Sequence, residues 1–286
     1  MPKIINPAPP NLPLATDQYE RRYQDQFANV LRLYFNQLKN ALGELFNKQG
    51  GKVLAFPYFS AYQNGYTTLT VAIPNGTSTA PIQVTSTAYF ASSGYVLIGQ
   101  ELIGYTTKTA TTLDGTITRG ALGTNASKGA HAVGDYVSEA AAVTAGSSAA
   151  MSIDVVTDFN GVTCAAPDSN VYIENAGYYN IQFSAQLLNF STAEDNVTIW
   201  IKQNGSDVTA SAGVIEVSPK HGTSPGATIA GWNYVLPFNA NDYFQLYWAS
   251  DTGNTVLSTY PPGTSPTHPE SPSLILTVTF VSALPT

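Results

Sequence analysis

The chain is poor in charge and has almost no cysteine. Only 11% of its 286 residues are charged, against roughly a quarter in an average soluble protein. The net charge is −7 and the pI is about 4.8. Arg21-Arg22 is the one basic pair, so the converging cations that bind nucleic-acid phosphates are missing. The single Cys164 excludes a disulfide within the chain and a cysteine-rich metal site. We therefore expect no nucleic-acid partner.

Long apolar runs are also absent. No uninterrupted run approaches the roughly 18 residues that a membrane span requires. Residues 1–15, "MPKIINPAPPNLPLA", contain five prolines, which interrupt the helix that a secretion signal needs. The sequence therefore predicts neither membrane insertion nor a helical export signal.

Catalytic signatures are missing as well. "GTSPG", residues 222–226, matches Gly-x-Ser-x-Gly, but Pro225 follows the serine and has no N–H for an oxyanion. Glu194-Asp195 is the densest acidic pair, and a solvated turn explains it better than calcium binding or glycoside hydrolysis. Three histidines lie in Gly- or Pro-flanked loops without metal-ligand spacing: His131, His221 and His268. We expect no enzyme activity, no metal and no cofactor.

The N-terminal segment is predicted to be an extended arm. Residues 1–15 lack a helical or strand period, and their prolines prevent a core of their own. Ile4, Ile5 and Leu14 are the predicted apolar anchors. Proline stiffness lowers the entropy lost on docking, which suits a segment that lies in a groove on another protein. The alternative is an unattached terminus.

A helical pattern follows over residues 16–49. Asp17 and Glu20 form a capping pair, and Gly50-Gly51 ends the segment. Apolar residues recur at spacings of 4 and 3, as in a heptad: Phe27, Leu31, Tyr34, Leu38, Ala41 and Leu45. One reading is an amphipathic helix on its own domain; the favoured one is a short self-associating coiled coil. Fewer than three heptads associate weakly, so another part of the chain must contribute.

The remainder is predicted to be β-structure, which makes the chain mainly β. Residues 50–140 show short strands separated by turn residues, which indicates a small all-β domain. Residues 141–150 are small and predict a linker. Residues 151–286 hold eight or nine longer strands, which fit a jelly-roll β-sandwich.

One strand carries an unusual residue. In "NVTIWIKQNGSDV", residues 196–208, apolar and polar residues alternate and Asn-Gly then reverses the chain, which predicts a β-hairpin. Trp200 lies on the face that the alternation assigns to polar residues. Another protomer could cover it, or it could be a platform on which a sugar stacks.

Four stretches of the C-terminal segment form a further pattern, in this order: "AGYYNIQFSAQL", "VTIWIKQNGSDV", "LPFNANDYFQLYWAS" and "SLILTVTFV". Together they resemble the complement/tumour-necrosis-factor-like jelly rolls of bacteriophage fibre heads. The resemblance covers nearly half of the chain. It implies a homotrimeric knob with aromatic residues around the three-fold axis, and so makes Trp200 a candidate for the contact between protomers.

The middle segment is similar to a small β-module of phage virion proteins. It matches a Gly-x-x-x-Ile-Gly-x-Glu strand pair and an Arg-Gly…Gly-Thr…His…Gly-Asp tail, at Ile98, Glu101, Arg119, Gly120, Gly123, Thr124, His131 and Gly134. An arm, a helix and a trimeric knob are the usual layout of a fibre. The resemblance therefore implies a structural protein of the virion, with a parallel trimeric helix and an arm that binds capsid, neck or tail proteins. The alternative is a secreted protein that binds or cleaves glycans.

Host contact, if present, is expected on a loop of the knob. Residues 258–272, "STYPPGTSPTHPESP", are long and proline-rich and carry Tyr260 and His268. Binding residues often lie on loops held by a rigid scaffold. An equally good reading is that the prolines only tie down a surface loop.

Overall fold

The computed structural model describes residues 10–12, 20–45, 56–76, 79–124 and 129–285. The chain divides into two compact units, Met1–Phe56 and Pro57–Thr286. The first contains the helix α1 (Arg21–Leu45). The second consists of antiparallel strands. The expectation of a mainly β protein with an N-terminal helix is confirmed.

The strands of the second unit are numbered in chain order. They are β1 (Tyr58–Gln63), β2 (Tyr66–Thr68), β3 (Ile82–Gln83), β4 (Gly94–Ile98), β5 (Glu101–Tyr105), β6 (Thr107–Lys108), β7 (Thr112–Asp114), β8 (Thr118–Arg119), β9 (Tyr136–Ala142), β10 (Ser148–Ala150), β11 (Val155–Asn160), β12 (Val162–Thr163), β13 (Val171–Ile173), β14 (Gly177–Asn189), β15 (Asp195–Gln203), β16 (Ser206–Asp207), β17 (Gly213–Val217), β18 (Gly226–Ala230), β19 (Asn233–Phe238), β20 (Tyr243–Ser250), β21 (Thr255–Ser258), β22 (Gly263–Thr264), β23 (Thr267–His268) and β24 (Leu274–Ser282).

Two sheets enclose the main hydrophobic core. One has the order β11-β1-β24-β14, with β19 on the other side of β14, and the second has the order β12-β13-β20-β15, with β17 beside β15. Alternate residues of the facing strands point into the core, as the period of a strand requires. Examples are Ile181 on β14, Ile199 on β15, Trp248 on β20 and Leu276 on β24, all fully buried.

The helix α1 is amphipathic, as the heptad predicts, but none of its described side chains is buried. Phe27, Leu31, Tyr34 and Leu38 are half-buried along one side. Glu20 precedes the helix, and its carbonyl accepts the N–H of Gln24. The side chain of Leu45 lies outside the described part of the chain, as do Asp17 and the anchors Ile4, Ile5 and Leu14.

The predicted boundary between the two β-domains needs correction. Strand β1 lies within the sandwich, because it pairs with β24 on one side and with β11 on the other. The segment between β1 and β10 is therefore inserted into the sandwich, and we call residues 64–147 the inserted module. The predicted linker, residues 141–150, is also not a spacer, since Ser148–Ala150 pairs with β20 and Ala140–Ala142 pair with β21. Small residues are compatible with these strand pairings as well as with a linker. Composition alone therefore could not distinguish a strand from a linker over residues 141–150.

The inserted module has a core of its own and is joined firmly to the sandwich. Its core contains Leu69, Val96, Ile103 and Leu113, all fully buried. A second cluster spans the junction, where Leu97, Leu102 and Ala140 of the module pack on residues of β14, β21 and the chain just after β14. Strand β9 also extends the first sheet beyond β21. The module therefore has a fixed orientation on the sandwich.

Candidate functional site

A buried ion pair lies at the centre of the inserted module. Arg119 donates to both carboxylate oxygens of Glu101, through Nε to Oε1 at 2.7 Å and through Nη2 to Oε2 at 2.8 Å. Both side chains are almost completely buried. A bidentate pair of this kind is held in one geometry by two parallel hydrogen bonds. The module resemblance singled out both residues, and the structure gives them a structural role.

Local backbone geometry positions this pair. Glu101 opens β5 directly after the turn at Gly99 and Gln100, and Arg119 lies on the neighbouring β8, opposite Ile103. Gly120 adopts a positive φ of 66° and donates its N–H to Glu101 Oε1 at 2.9 Å. Glycine tolerates that conformation without strain. The Arg-Gly dipeptide therefore supplies a side chain and a backbone donor to one carboxylate.

Two further residues of the same pattern complete the cluster. Thr124 accepts the N–H of Leu102 at 2.9 Å and donates to the carbonyl of Ala121. His131 approaches Glu101 Oε2 through Nε2 at 2.8 Å. The pattern thus brings Glu101, Arg119 and His131 together around one carboxylate, with Thr124 on the adjoining backbone, beside the apolar core of the module.

The junction of the module and the sandwich contains two adjoining clefts. The larger has a volume of about 500 Å³ and the smaller about 320 Å³, and both are lined by Gly99 and His131. The larger cleft extends to Tyr136 on the module and to Tyr260 on the sandwich. The smaller reaches Thr223, in the loop between β17 and β18. These are mixed aromatic and polar surfaces between two rigid bodies, a common location for ligand sites.

The structure separates the two residues proposed for host contact. Tyr260 is half-buried, packs on the junction cluster and exchanges backbone hydrogen bonds with Ser271. Burial raises the pKa of Tyr260. His268 is exposed on the small hairpin of β22 and β23, where its Nδ1 lies 2.7 Å from the carbonyl of Pro269. Only Tyr260 therefore reaches a cleft.

Trp200 lies on the outer face of its sheet, as the alternation predicts, and its own hairpin partly covers it. The indole Nε1 donates to Asp207 Oδ1 at 2.7 Å, and the ring lies 5.8 Å from that of Tyr247. Lys202 stacks over Tyr247 and forms an ion pair with Asp207 at 3.5 Å. The indole N–H therefore needs no partner chain, and contact of Trp200 with another protomer stays a prediction.

No model of a known protein family matches this chain. A search of curated proteins finds no match either. Within the described residues, no helix is long and apolar enough to cross a membrane. The same residues contain no group of three or more His, Cys, Asp or Glu side chains that could hold a metal ion.

Two carboxyl groups are buried where β1 leads into the module. Both oxygens of Asp154 accept the N–H of Asn64 at 2.9 Å, and Glu139 accepts from Gln63 Nε2 at 2.9 Å and from the N–H of Ala91 at 2.8 Å. Burial raises the pKa of Asp154 to about 6; the Asn64 N–H opposes this shift and the charge of Glu139 adds to it. Burial also raises the pKa of Glu139. We therefore expect the stability of this region to depend on the protonation of Asp154 and Glu139.

Part of the lining of the two clefts carried a sequence signal. His131 and the Gly134-Asp135 pair belong to the module pattern and Tyr260 to the proline-rich loop, and all of them line the larger cleft. Tyr136 carried no such signal; it comes near Tyr260 because β9 is joined to β21, a pairing between distant parts of the chain.

Proposed function

We propose that the protein is a structural and adhesion protein of a bacteriophage virion. It forms a homotrimeric fibre or appendage, anchored by its N-terminal arm to the head, neck or tail, and its C-terminal β-sandwich is a jelly-roll knob that meets the host surface. The proposal combines the resemblance of the C-terminal and middle segments with the properties of the helix and the two sheets.

The observation that carries the proposal is the unburied helix. α1 has 25 residues, and helices in proteins gain most of their stability from packing of their apolar face. In α1 the heptad side chains Phe27, Leu31, Tyr34 and Leu38 are no more than half-buried. Further copies of the same helix would cover this stripe in a short coiled coil. Self-association would supply packing for this half-exposed stripe.

The strand order of the sandwich supports the jelly-roll interpretation. The first strand of the unit pairs with the last. Between β13 and β20 the chain passes repeatedly from one sheet to the other: β13 lies in the second sheet, β14 in the first, β15–β17 in the second, β18 and β19 in the first, and β20 in the second. This interleaving is typical of a jelly roll. The same topology brings both ends of the unit to one sheet.

The outer face of that sheet favours contact between copies. The outward residues of β1, β24, β14 and β19 include no charged side chain. Tyr58, Val235 and Ile275 on this face are 45%, 54% and 44% exposed. Exposed apolar surface of this kind often marks an interaction site, and an uncharged face meets its own copy without repulsion. This face is a better candidate for the knob contact than Trp200.

Light scattering on the eluted peak of a gel-filtration column tests the trimer. We expect three times the chain mass of 30.4 kDa at micromolar concentration. Leu31→Asp with Leu38→Asp should reduce the mass, because the charges would lie inside the helical bundle. Leu33→Asp is the matched control, since Leu33 is 60% exposed and lies off the stripe. A monomeric wild-type protein would refute the trimer.

Removal of residues 1–15 tests the anchor separately. We expect a soluble trimer that no longer assembles onto virions, because three linked arms reinforce one another through their effective concentration. Incorporation of the truncated protein at the normal copy number would place the anchor elsewhere.

A further inference from the structure

The two clefts at the junction of the inserted module form one continuous candidate site. They share Gly99 and His131, and together they extend from Tyr260 on one side to Thr223 on the other. Both walls belong to rigid elements: the β4–β5 hairpin and β9 on the module, and the segment after β21 on the sandwich. We call this surface the junction cleft.

The shared wall presents a histidine of defined tautomer. Glu101 pairs with Arg119 as a carboxylate, so both of its oxygens only accept hydrogen bonds. His131 Nε2, 2.8 Å from Glu101 Oε2, must therefore carry a hydrogen. In the neutral ring this leaves Nδ1 as an acceptor. The Glu101–Arg119 ion pair thus determines which nitrogen of His131 donates a hydrogen bond and which one accepts.

The charges around the junction cleft do not suit an anionic ligand. No lysine or arginine is among the described residues that line it. Arg119, just behind the wall, directs its donors inward, to Glu101 and to the carbonyls of Pro74 and Gly129. Asp135 adds a negative charge to the lining. Phosphate, sulfate and carboxylate groups would find no cation there.

The remaining lining combines phenol rings with hydroxyl and amide groups. Tyr136 is 39% exposed and Tyr260 half-buried, on opposite walls. Gln100 and Thr223 contribute an exposed amide and an exposed hydroxyl group. A phenol offers an apolar face and a polar edge. The complementary ligand is a small ring with apolar C–H faces and several hydroxyl groups, and it carries no charge.

We propose that the junction cleft is a binding site for a neutral carbohydrate, with Tyr136 and Tyr260 against the sugar ring and Asp135 and His131 as hydrogen-bonding groups. A site of this chemistry would serve a virion protein that meets a host surface, and it would serve a free glycan-binding protein equally. Its test is therefore separate from the tests of mass and of virion incorporation.

Saturation-transfer NMR on the full-length protein tests the site. The probes are methyl glycosides of neutral pentoses, hexoses, 6-deoxyhexoses and N-acetylhexosamines, each at about 10 mM, which would nearly saturate a site with a Kd of about 1 mM. We expect transfer to at least one of them. Tyr136→Ala should weaken that binding about fivefold, as loss of an aromatic contact implies. Tyr260→Phe, which keeps the packing of the ring, should weaken it by removal of one hydroxyl.

Two variants serve as controls. Tyr89→Ala removes another exposed tyrosine of the module that does not line the cleft, and it should leave binding unchanged. Trp200→Ala tests the rival aromatic surface and should also have no effect. The proposal is overturned if no neutral glycoside gives transfer, if only glucuronate or sialic acid binds, or if binding survives Tyr136→Ala and is lost in Trp200→Ala.

Discussion

Phe59, on the first strand of the second unit, pairs with Val278, on the last. Both side chains are buried in the sandwich core. A fragment of residues 151–286, which the sequence predicts to be complete, lacks β1 and would expose the edges of β24 and β11. We expect this fragment to aggregate or stay unfolded, because an unpaired apolar edge promotes association. Residues 57–286 should be folded by circular dichroism and thermal melting.

A matched point variant supports the same conclusion. Phe59→Ala in residues 57–286 should lower the free energy of unfolding by about 3–5 kcal/mol, the usual cost of such a cavity. Phe159→Ala is the control, since Phe159 lies opposite Phe59 on β11 and is exposed. A soluble, cooperatively melting fragment of residues 151–286 would show that β1 is dispensable.

The Glu101–Arg119 pair should be essential for the stability of the inserted module. Arg119→Met leaves a buried carboxylate without its cation, and we expect a loss of about 3–5 kcal/mol in the free energy of unfolding. Adding Glu101→Gln should recover part of that loss, because the uncompensated charge is gone. Lys202→Met, which breaks an exposed pair, should cost less than about 1 kcal/mol. Equal losses in the three variants, measured by urea denaturation, would contradict the burial argument.

Stability should increase as the pH falls from about 7 to about 5. The pKa of Asp154 is about 6 in the folded protein and about 4 in the unfolded chain. The folded state therefore takes up a proton first, and the free energy of unfolding rises as the pH falls through 6 and levels off near 4. After allowance for solvent screening, the gain is roughly 1–2 kcal/mol. Thermal melts across this range should show the rise.

Asp154→Asn is the control for the pH effect. It cannot ionise, so its melting temperature should vary less over the same range, and the difference from wild type isolates Asp154 from other titrating groups. A wild-type melting temperature that falls in parallel with that of the variant would contradict the assignment.

Asn204 should stabilise the hairpin that the sequence predicts most clearly. Asn204 and Gly205 have positive φ values of 50° and 79°, as a two-residue type I′ turn requires. Asn204 also donates to Asp242 and accepts the N–H of Tyr243. Asn204→Ala should cost about 1–2 kcal/mol in chemical denaturation. Asn204→Gly, which keeps the conformation and loses the two bonds, should fall between wild type and Ala; a larger loss for Gly than for Ala would contradict this.

Local sequence patterns predicted the individual elements well. The alternation over residues 196–203, the Asn-Gly turn and the heptad each correspond to a strand, a reversal or a helix in the structure, because each depends on neighbours in sequence. One long apolar stretch, residues 226–238, forms two strands that are separated at Gly231, where β18 and β19 pair with different halves of β14. A Cβ at Gly231 would lie 2.9 Å from the carbonyl oxygen of Phe183. No pattern in the neighbouring sequence predicts this close approach of Gly231 to β14.

The domain plan and the site depend on pairings between distant segments. Tyr58–Gln63 looks like the start of the module because it precedes it, yet its partners are β11 and β24. Likewise Tyr136 and Tyr260 meet across the junction cleft through the pairing of β9 with β21. A single sequence contains no information on such partners, whereas the Glu101, Arg119 and His131 pattern was visible through its resemblance.

The position of β1 also governs how the second unit can fold. The hairpins of the second unit, such as β4–β5 and β15–β16, close short loops. Such hairpins form in about 1–10 μs. The pairing of β1 with β24 closes nearly the whole unit and incurs the largest entropy of loop closure. Chains dominated by such non-local pairings fold slowly. We therefore expect the sandwich to complete its first sheet last, after the inserted module has formed its own core.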